Sequence, residues 1–217
     1  MNPTIESLVW NQAQHLRGRH GWGALLLWAI AAVVMTIVWE GQVQIDLGDP
    51  SAGRGTLVWE LVLLSAAPAV ALLLASRVRI WEGLAPPERR LCTLLTRVVA
   101  LFGWAALPWI AWQFSAAPKA YPGSLPMALT FTALLLMSLS LIAVDHLGRV
   151  TGALTIWIVV ICFLIAQATP ALRLSVPLHD SPELRTWPIV TSVVATAWSL
   201  WSGYTRAHHS PLVGLRP

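Results

Sequence analysis

The sequence predicts an all-α, polytopic membrane protein with six transmembrane helices and an N-terminal amphipathic surface helix. Three observations predict it. Of 217 residues, 56% are hydrophobic and 11% charged, against about 25% charged in soluble domains. A chain this apolar lacks the polar surface to cover itself in water. Stretches free of Asp, Glu, Lys and Arg recur six times at close to the ~20 residues a membrane-crossing helix needs. The basic residues alternate in density between the segments joining those stretches.

The first segment, residues 1–21, is expected to lie on the inner surface. Ile5, Leu8, Val9, Gln12 and Leu16 follow helical spacing, and Glu6, Gln14 and Arg17 fall mostly elsewhere on the wheel. That pattern is an amphipathic helix parallel to the membrane. Met1–Trp22 is polar, bears His and Arg, and has no A-x-A-like site closing a short apolar core, so no cleavable signal peptide is expected.

The six apolar stretches are His20–Trp39, Leu61–Ser76, Val98–Pro118, Ala120–Val144, Val150–Leu172 and Thr186–Thr205. The second is short, and it reaches full length if Glu60 and Arg77 snorkel to the two interfaces. Together they form one transmembrane domain over residues 22–206, and residues 207–217 form a tail. Ten basic residues (Arg17, Arg19, Arg77, Arg79, Arg89, Arg90, Arg97, Arg149, Arg206, Arg216) fall on one side, and four (Arg54, Lys119, Arg173, Arg185) on the other. The positive-inside rule then puts both termini in the cytoplasm, for a multi-pass protein of the cell's inner (plasma) membrane. The dominance of Arg over Lys, with abundant Ala, Gly and Pro, points to a GC-rich bacterial genome.

Tryptophan fits the same frame. Trp22, Trp81 and Trp201 fall near the inner interface, and Trp39, Trp59, Trp112 and Trp187 near the outer one. Indole suits that depth, being apolar with one N–H to satisfy. Trp104 and Trp157 lie deeper and are expected to pack. Pro68 and Pro108 fall near mid-membrane, where each removes a backbone donor, whereas Pro188 suits a first helical turn. Small residues recur four apart at Ser65 and Ala69, at Ala67, Ala71 and Ala75, and at Ala195, Ser199 and Gly203. Such faces let membrane helices approach closely, within a chain or in a homodimer.

The chemistry-bearing motifs are few. There is no G-x-x-x-x-G-K-[ST] phosphate loop, no H-E-x-x-H, and Tyr121–Ser124 reads as a turn rather than a nucleophile elbow. Cys92 and Cys162 lie in different apolar segments without metal-ligand spacing and are expected to be buried packing residues. Full charges are absent from the expected spans, and Glu40 and Glu60 lie near the outer boundary, which disfavours a proton-coupled carrier. Asp145, His146 and Arg149 form the one polar constellation. On an unbroken helix Asp145 and Arg149 would face each other, and His146 titrates near neutrality. The plainer reading is a charged inner hairpin. No cofactor or metal is expected in this chain, the basic residues do not suggest nucleic acid, and nothing in the sequence identifies an enzyme.

The largest inner connection, Ser76–Arg97, carries half of the inner basic residues. Pro86 and Pro87 interrupt it, and Glu88, Arg89 and Arg90 begin a new helical segment with an acid at its N-terminus. A protruding segment of this kind is what a cytoplasmic partner would grip. In layout the chain resembles the membrane subunit of an ABC-2-type exporter. That family has a surface amphipathic helix, six spans, inside termini, and a coupling helix between spans two and three. The resemblance is one of architecture over nearly the whole chain. The family's extracellular reentrant hairpins between spans five and six are represented only by Thr169–Trp187. It implies that Glu82, Pro86, Pro87, Glu88, Arg89 and Arg90 dock a separate ATPase subunit, which would use ATP to drive export of a hydrophobic or amphiphilic substrate. It also implies a homodimer or a heteromeric membrane complex in contact with lipid. The residues are equally compatible with a non-catalytic anchor, assembly or regulatory subunit of a larger membrane complex. A third class is an intramembrane enzyme acting on lipid or quinone through Asp145, His146 or Glu60.

Overall fold

The computed structural model describes residues 21–38, 42–44, 55–75, 87–114, 124–168 and 186–205. These form six helices and one short ribbon: α1 (Gly21–Ile37), β1 (Gln42–Gln44), β2 (Gly55–Leu57), α2 (Val58–Leu74), α3 (Pro87–Phe114), α4 (Ser124–Leu147), α5 (Arg149–Ala168) and α6 (Thr186–Thr205). The protein is all-α in class, and each helix overlaps one of the six apolar stretches. The ribbon pairs Gln42 with Leu57, Val43 with Thr56 and Gln44 with Gly55, antiparallel. Sequence periodicity does not announce it. The surface segment 1–20, the tail after residue 205, Glu82 and Pro86 lie outside the described residues.

Among the described residues two helices are long and apolar enough to cross a membrane, over Leu91–Phe114 and Leu129–Leu147; the apolar stretches of the others are shorter. The bundle is organised around α4, which packs against α2, α3, α5 and α6. A helix so surrounded is apolar nearly all round, and Leu129, Ala133, Met137, Leu141 and Val144 are buried along it.

Two helices, α1 and α6, turn large apolar side chains outward, unlike the helices of a water-soluble bundle. On α6 the buried face is Ser192, Ala195, Ser199 and Ser202, while Val190, Val193, Val194, Trp198 and Trp201 point outward. On α1 the inner face has Ala24, Ala31 and Met35, and the outer face Trp22, Leu25, Leu26, Ile30, Val33 and Ile37. On α6 small and hydroxylated residues pack inside and large apolar ones face out, and on α1 most of the large apolar residues also face out. That is the arrangement favoured where the solvent is hydrocarbon and close backbone approach holds helices together.

The two internal prolines are accommodated in the same manner. Pro68 in α2 and Pro108 in α3 are fully buried. Each leaves its preceding turn short of a backbone donor. The carbonyls left without a helical donor are those of Leu64 and Trp104, and neighbouring helices donate to carbonyls one residue away from these. Trp157 Nε1 donates to Ser65 O at 2.8 Å, Trp28 Nε1 to Gly103 O at 2.7 Å, and Thr130 Oγ1 approaches Ala105 O at 3.3 Å. Trp157 is therefore tied to α2 by its N–H, and Trp104 is fully buried. Ala67 and Ala71 are the buried small pair of α2, whereas Ser65 faces outward. Of the two thiols, Cys92 is buried as expected and Cys162 is exposed, a correction. Its position falls on the outer face of α5 with Ile158 and Ile161.

Candidate functional site

The polar constellation is assembled differently from the sequence expectation. α3 begins at Pro87, where a proline costs no hydrogen bond because the first-turn N–H groups have no helical partner. It then runs unbroken for 28 residues. Pro87, Glu88, Arg89 and Arg90 therefore form its first turn; their side chains lie outside the described residues. Arg97, expected in the inner loop, is the eleventh residue of this helix. It falls on the stripe Arg97, Leu101, Trp104, Pro108, Ala111, whose alternating spacing of four and three marks one buried face.

Opposite it, α4 presents Asp145 one turn after buried Leu141, and α6 presents Ser199 and Ser202. Arg97 Nη2 donates to Asp145 Oδ2 at 2.6 Å, and Nη1 donates to the Ser199 carbonyl at 2.7 Å. The side chains of the ion pair are 10% and 19% exposed. Ser202 Oγ donates to Ser199 O at 3.1 Å and lies 3.5 Å from Asp145 Oδ2, the latter at the limit of a useful bond. One planar guanidinium thus joins three helices. Lysine has no such fork, and Arg is the residue suited to buried bidentate bridging. Higher along the same seam, the Ser138 and Thr196 hydroxyls pair at 3.1 Å between α4 and α6.

Asp145 and Arg149 do not face each other. The expectation assumed a continuous helix, but Gly148 has φ of 99°, which only glycine adopts without strain, and it ends α4. Gly148 N donates to Val144 O at 3.1 Å as the chain reverses. Arg149 starts α5 and points toward α2 instead. Its Nη2 and Nε donate to Leu72 O at 3.0 and 3.3 Å. Leu72 lies in the last turn of α2, where carbonyls lack helical partners and a cation is favoured by the helix dipole. His146 is exposed. Glu60 falls in the first turn of α2, with its side chain outside the described residues.

The expectation that full charges are absent from the spans is corrected at Arg97 and Asp145, which lie within the two long apolar helices Leu91–Phe114 and Leu129–Leu147. The signal that locates Arg97 was present in the sequence: the α3 stripe continued back by four residues, with Asp145 as the acid reachable from an antiparallel neighbour. Among the described residues two buried polar atoms, Trp104 Nε1 and Ser199 Oγ, have no hydrogen-bond partner. Ser199 serves through its carbonyl rather than its hydroxyl. No group of three or more His, Cys, Asp or Glu converges among the described residues. The arrangement ties α3, α4 and α6 together through one guanidinium. Comparison with protein-family models, with curated proteins and with solved structures finds no match for this chain.

Proposed function

We propose that this chain is a six-span membrane protein with both termini cytoplasmic, and that it serves as the permease subunit of an ATP-driven exporter of ABC-2 type. Its substrate class is hydrophobic or amphiphilic. A separate ATPase subunit engages residues 76–97, with Glu82, Pro86, Pro87, Glu88, Arg89 and Arg90 as the contact. The membrane reading is supported by the large apolar side chains that α1 and α6 turn outward and by the donors placed beside Pro68 and Pro108. Helix length adds to it. At 1.5 Å per residue α3 is about 42 Å long, some 12 Å more than the ~30 Å hydrocarbon core. The surplus suits a first turn that projects into the cytoplasm.

One observation carries the permease reading. Pro87, Glu88, Arg89 and Arg90 of the expected docking segment form the first turn of α3, and α3 is joined at Arg97 to α4 and α6. A force applied at Glu88–Arg90 therefore reaches three helices at once.

Two measurements test this. With Cys92 changed to Ala, the exposed Cys162 thiol is the sole thiol. In intact membranes it should resist a charged, water-soluble maleimide and react only after denaturation. Rapid labelling in intact membranes would place that face of α5 in water. For the partner, the chain should co-purify with a Walker-motif ATPase, and Glu88→Arg or Arg89→Glu with Arg90→Glu should abolish recovery of the complex. Recovery of a single copy beside a different permease would instead identify a non-catalytic anchor or regulatory subunit.

A further inference from the structure

The segment between α2 and α3 has two stems, and both are held by the same five residues. On the incoming stem, the Leu72 carbonyl accepts from Arg149 at 3.0 and 3.3 Å. On the outgoing stem, Arg97 donates to Asp145 at 2.6 Å. Asp145 and Arg149 flank a single reversal of the chain at Gly148. We infer that the turn Asp145–Arg149 is a clamp on both stems of the inner connection, making Arg97, Asp145 and Arg149 positioning residues that pass its displacement to the rest of the bundle.

The geometry of the turn makes it suited to this. Its arms lie in close contact, because Gly152 on α5 leaves no room for a Cβ beside the backbone of Ala143 and Val144 on α4. Gly152 N also donates to Gly148 O at 2.8 Å, so α5 is hydrogen-bonded from its first turn. A stiff reversal with a carboxylate at one end and a guanidinium at the other fixes the spacing of its two targets. The charges are of opposite sign and each meets its complement: a cation on α3 and a carbonyl in the last turn of α2. The Arg97 fork then extends the grip to α6 through Ser199 O. Four helices besides α5 are thereby linked at one end of the bundle. The mechanical statement stands on the contacts alone; its use in transport rests on the permease reading above.

The test uses spin-label distances on the full chain in lipid nanodiscs, with Cys92→Ala and Cys162→Ala as background. Labels at Ala75→Cys and Val150→Cys report α2 against α5. Labels at Leu95→Cys and Trp201→Cys report α3 against α6. Arg149→Gln should abolish the single narrow distance peak of the first pair and leave the second unchanged. Replacing the buried pair together, Arg97→Met with Asp145→Leu, should do the reverse; apolar replacement removes the charge penalty, so this variant keeps its fold. Narrow peaks for both pairs in both variants would overturn the clamp, as would equal broadening of both pairs by either variant. Neither result bears on ATPase co-purification, and failure of co-purification leaves the distances untouched.

Discussion

Asp145→Ala should lower the stability of the bundle by about 3–5 kcal/mol, the cost typical of removing one member of a buried ion pair. The cause lies less in the lost attraction than in what remains. Arg97, its side chain 10% exposed, would keep a full charge against α4 and α6 with the Ser199 carbonyl as its surviving acceptor of those described above. Changing both residues, Arg97→Met with Asp145→Leu, should recover most of the loss, because two apolar side chains of similar size carry no desolvation penalty. Arg97→Lys should fall between, since an ammonium keeps the charge but not the fork that reaches Asp145 and Ser199 at once. Denaturation in mixed micelles measures all three. If Asp145→Ala matches the wild type, water reaches the pair freely. If single and double variants are equally weakened, the pair itself contributes net stability and the residual-charge argument is wrong.

The ion pair also explains what the sequence made legible and what it hid. The six apolar stretches predicted six helices because the signal is additive over ~20 residues and survives errors at either end. Thr186–Thr205 coincides with α6 to the residue, while Val98–Pro118 begins eleven residues after the observed start of α3. The difference has a definite origin. Dividing the chain at each charged residue assigns every charge to a loop by construction. Arg97 therefore counted toward the inner positive charge, although the heptad-like stripe through Leu101, Trp104, Pro108 and Ala111 already included it. Helical propensity offers no reason for α3 to stop at Val98 when Arg, Leu and Thr continue back to Pro87. The Asp145–Arg149 expectation failed for a related reason. It used i, i+4 spacing across Gly148, where a positive φ ends the helix. The glycine was visible in the sequence, but a lone glycine signals a C-terminus only when the helix boundary is already known. The contact of Arg149 with Leu72, 77 residues away, is tertiary and has no local signature at all.

Gly152→Val should separate α4 from α5, and its effect should contrast sharply with substitutions at two other helical glycines. A Cβ at Gly152 would lie 2.5 Å from both the Ala143 carbonyl carbon and Val144 Cα, which are backbone atoms that no rotamer change can move. Even Gly152→Ala must displace one helix, at a cost of about 1–3 kcal/mol for overpacking a well-packed site, and the branched side chain of Val adds to this. At Gly103 the same atom would meet Trp28 Nε1 at 3.6 Å, and at Gly23 it would meet Leu73 Cδ1 at 3.7 Å, both ordinary contacts with side chains. There the gain in helix propensity, up to about 1 kcal/mol for Gly to Ala, should leave Gly103→Ala and Gly23→Ala neutral or slightly stabilised. The order of unfolding midpoints is therefore Gly23→Ala and Gly103→Ala at or above wild type, then Gly152→Ala, then Gly152→Val. Equal behaviour at all three positions would mean that α4 and α5 are not in backbone contact. The prediction reaches beyond packing because the displaced reversal carries Asp145 and Arg149. Spreading its arms moves one away from Arg97 or the other away from Leu72. Gly152→Val should thus loosen at least one of the two stems of the α2–α3 connection, without touching a charged residue.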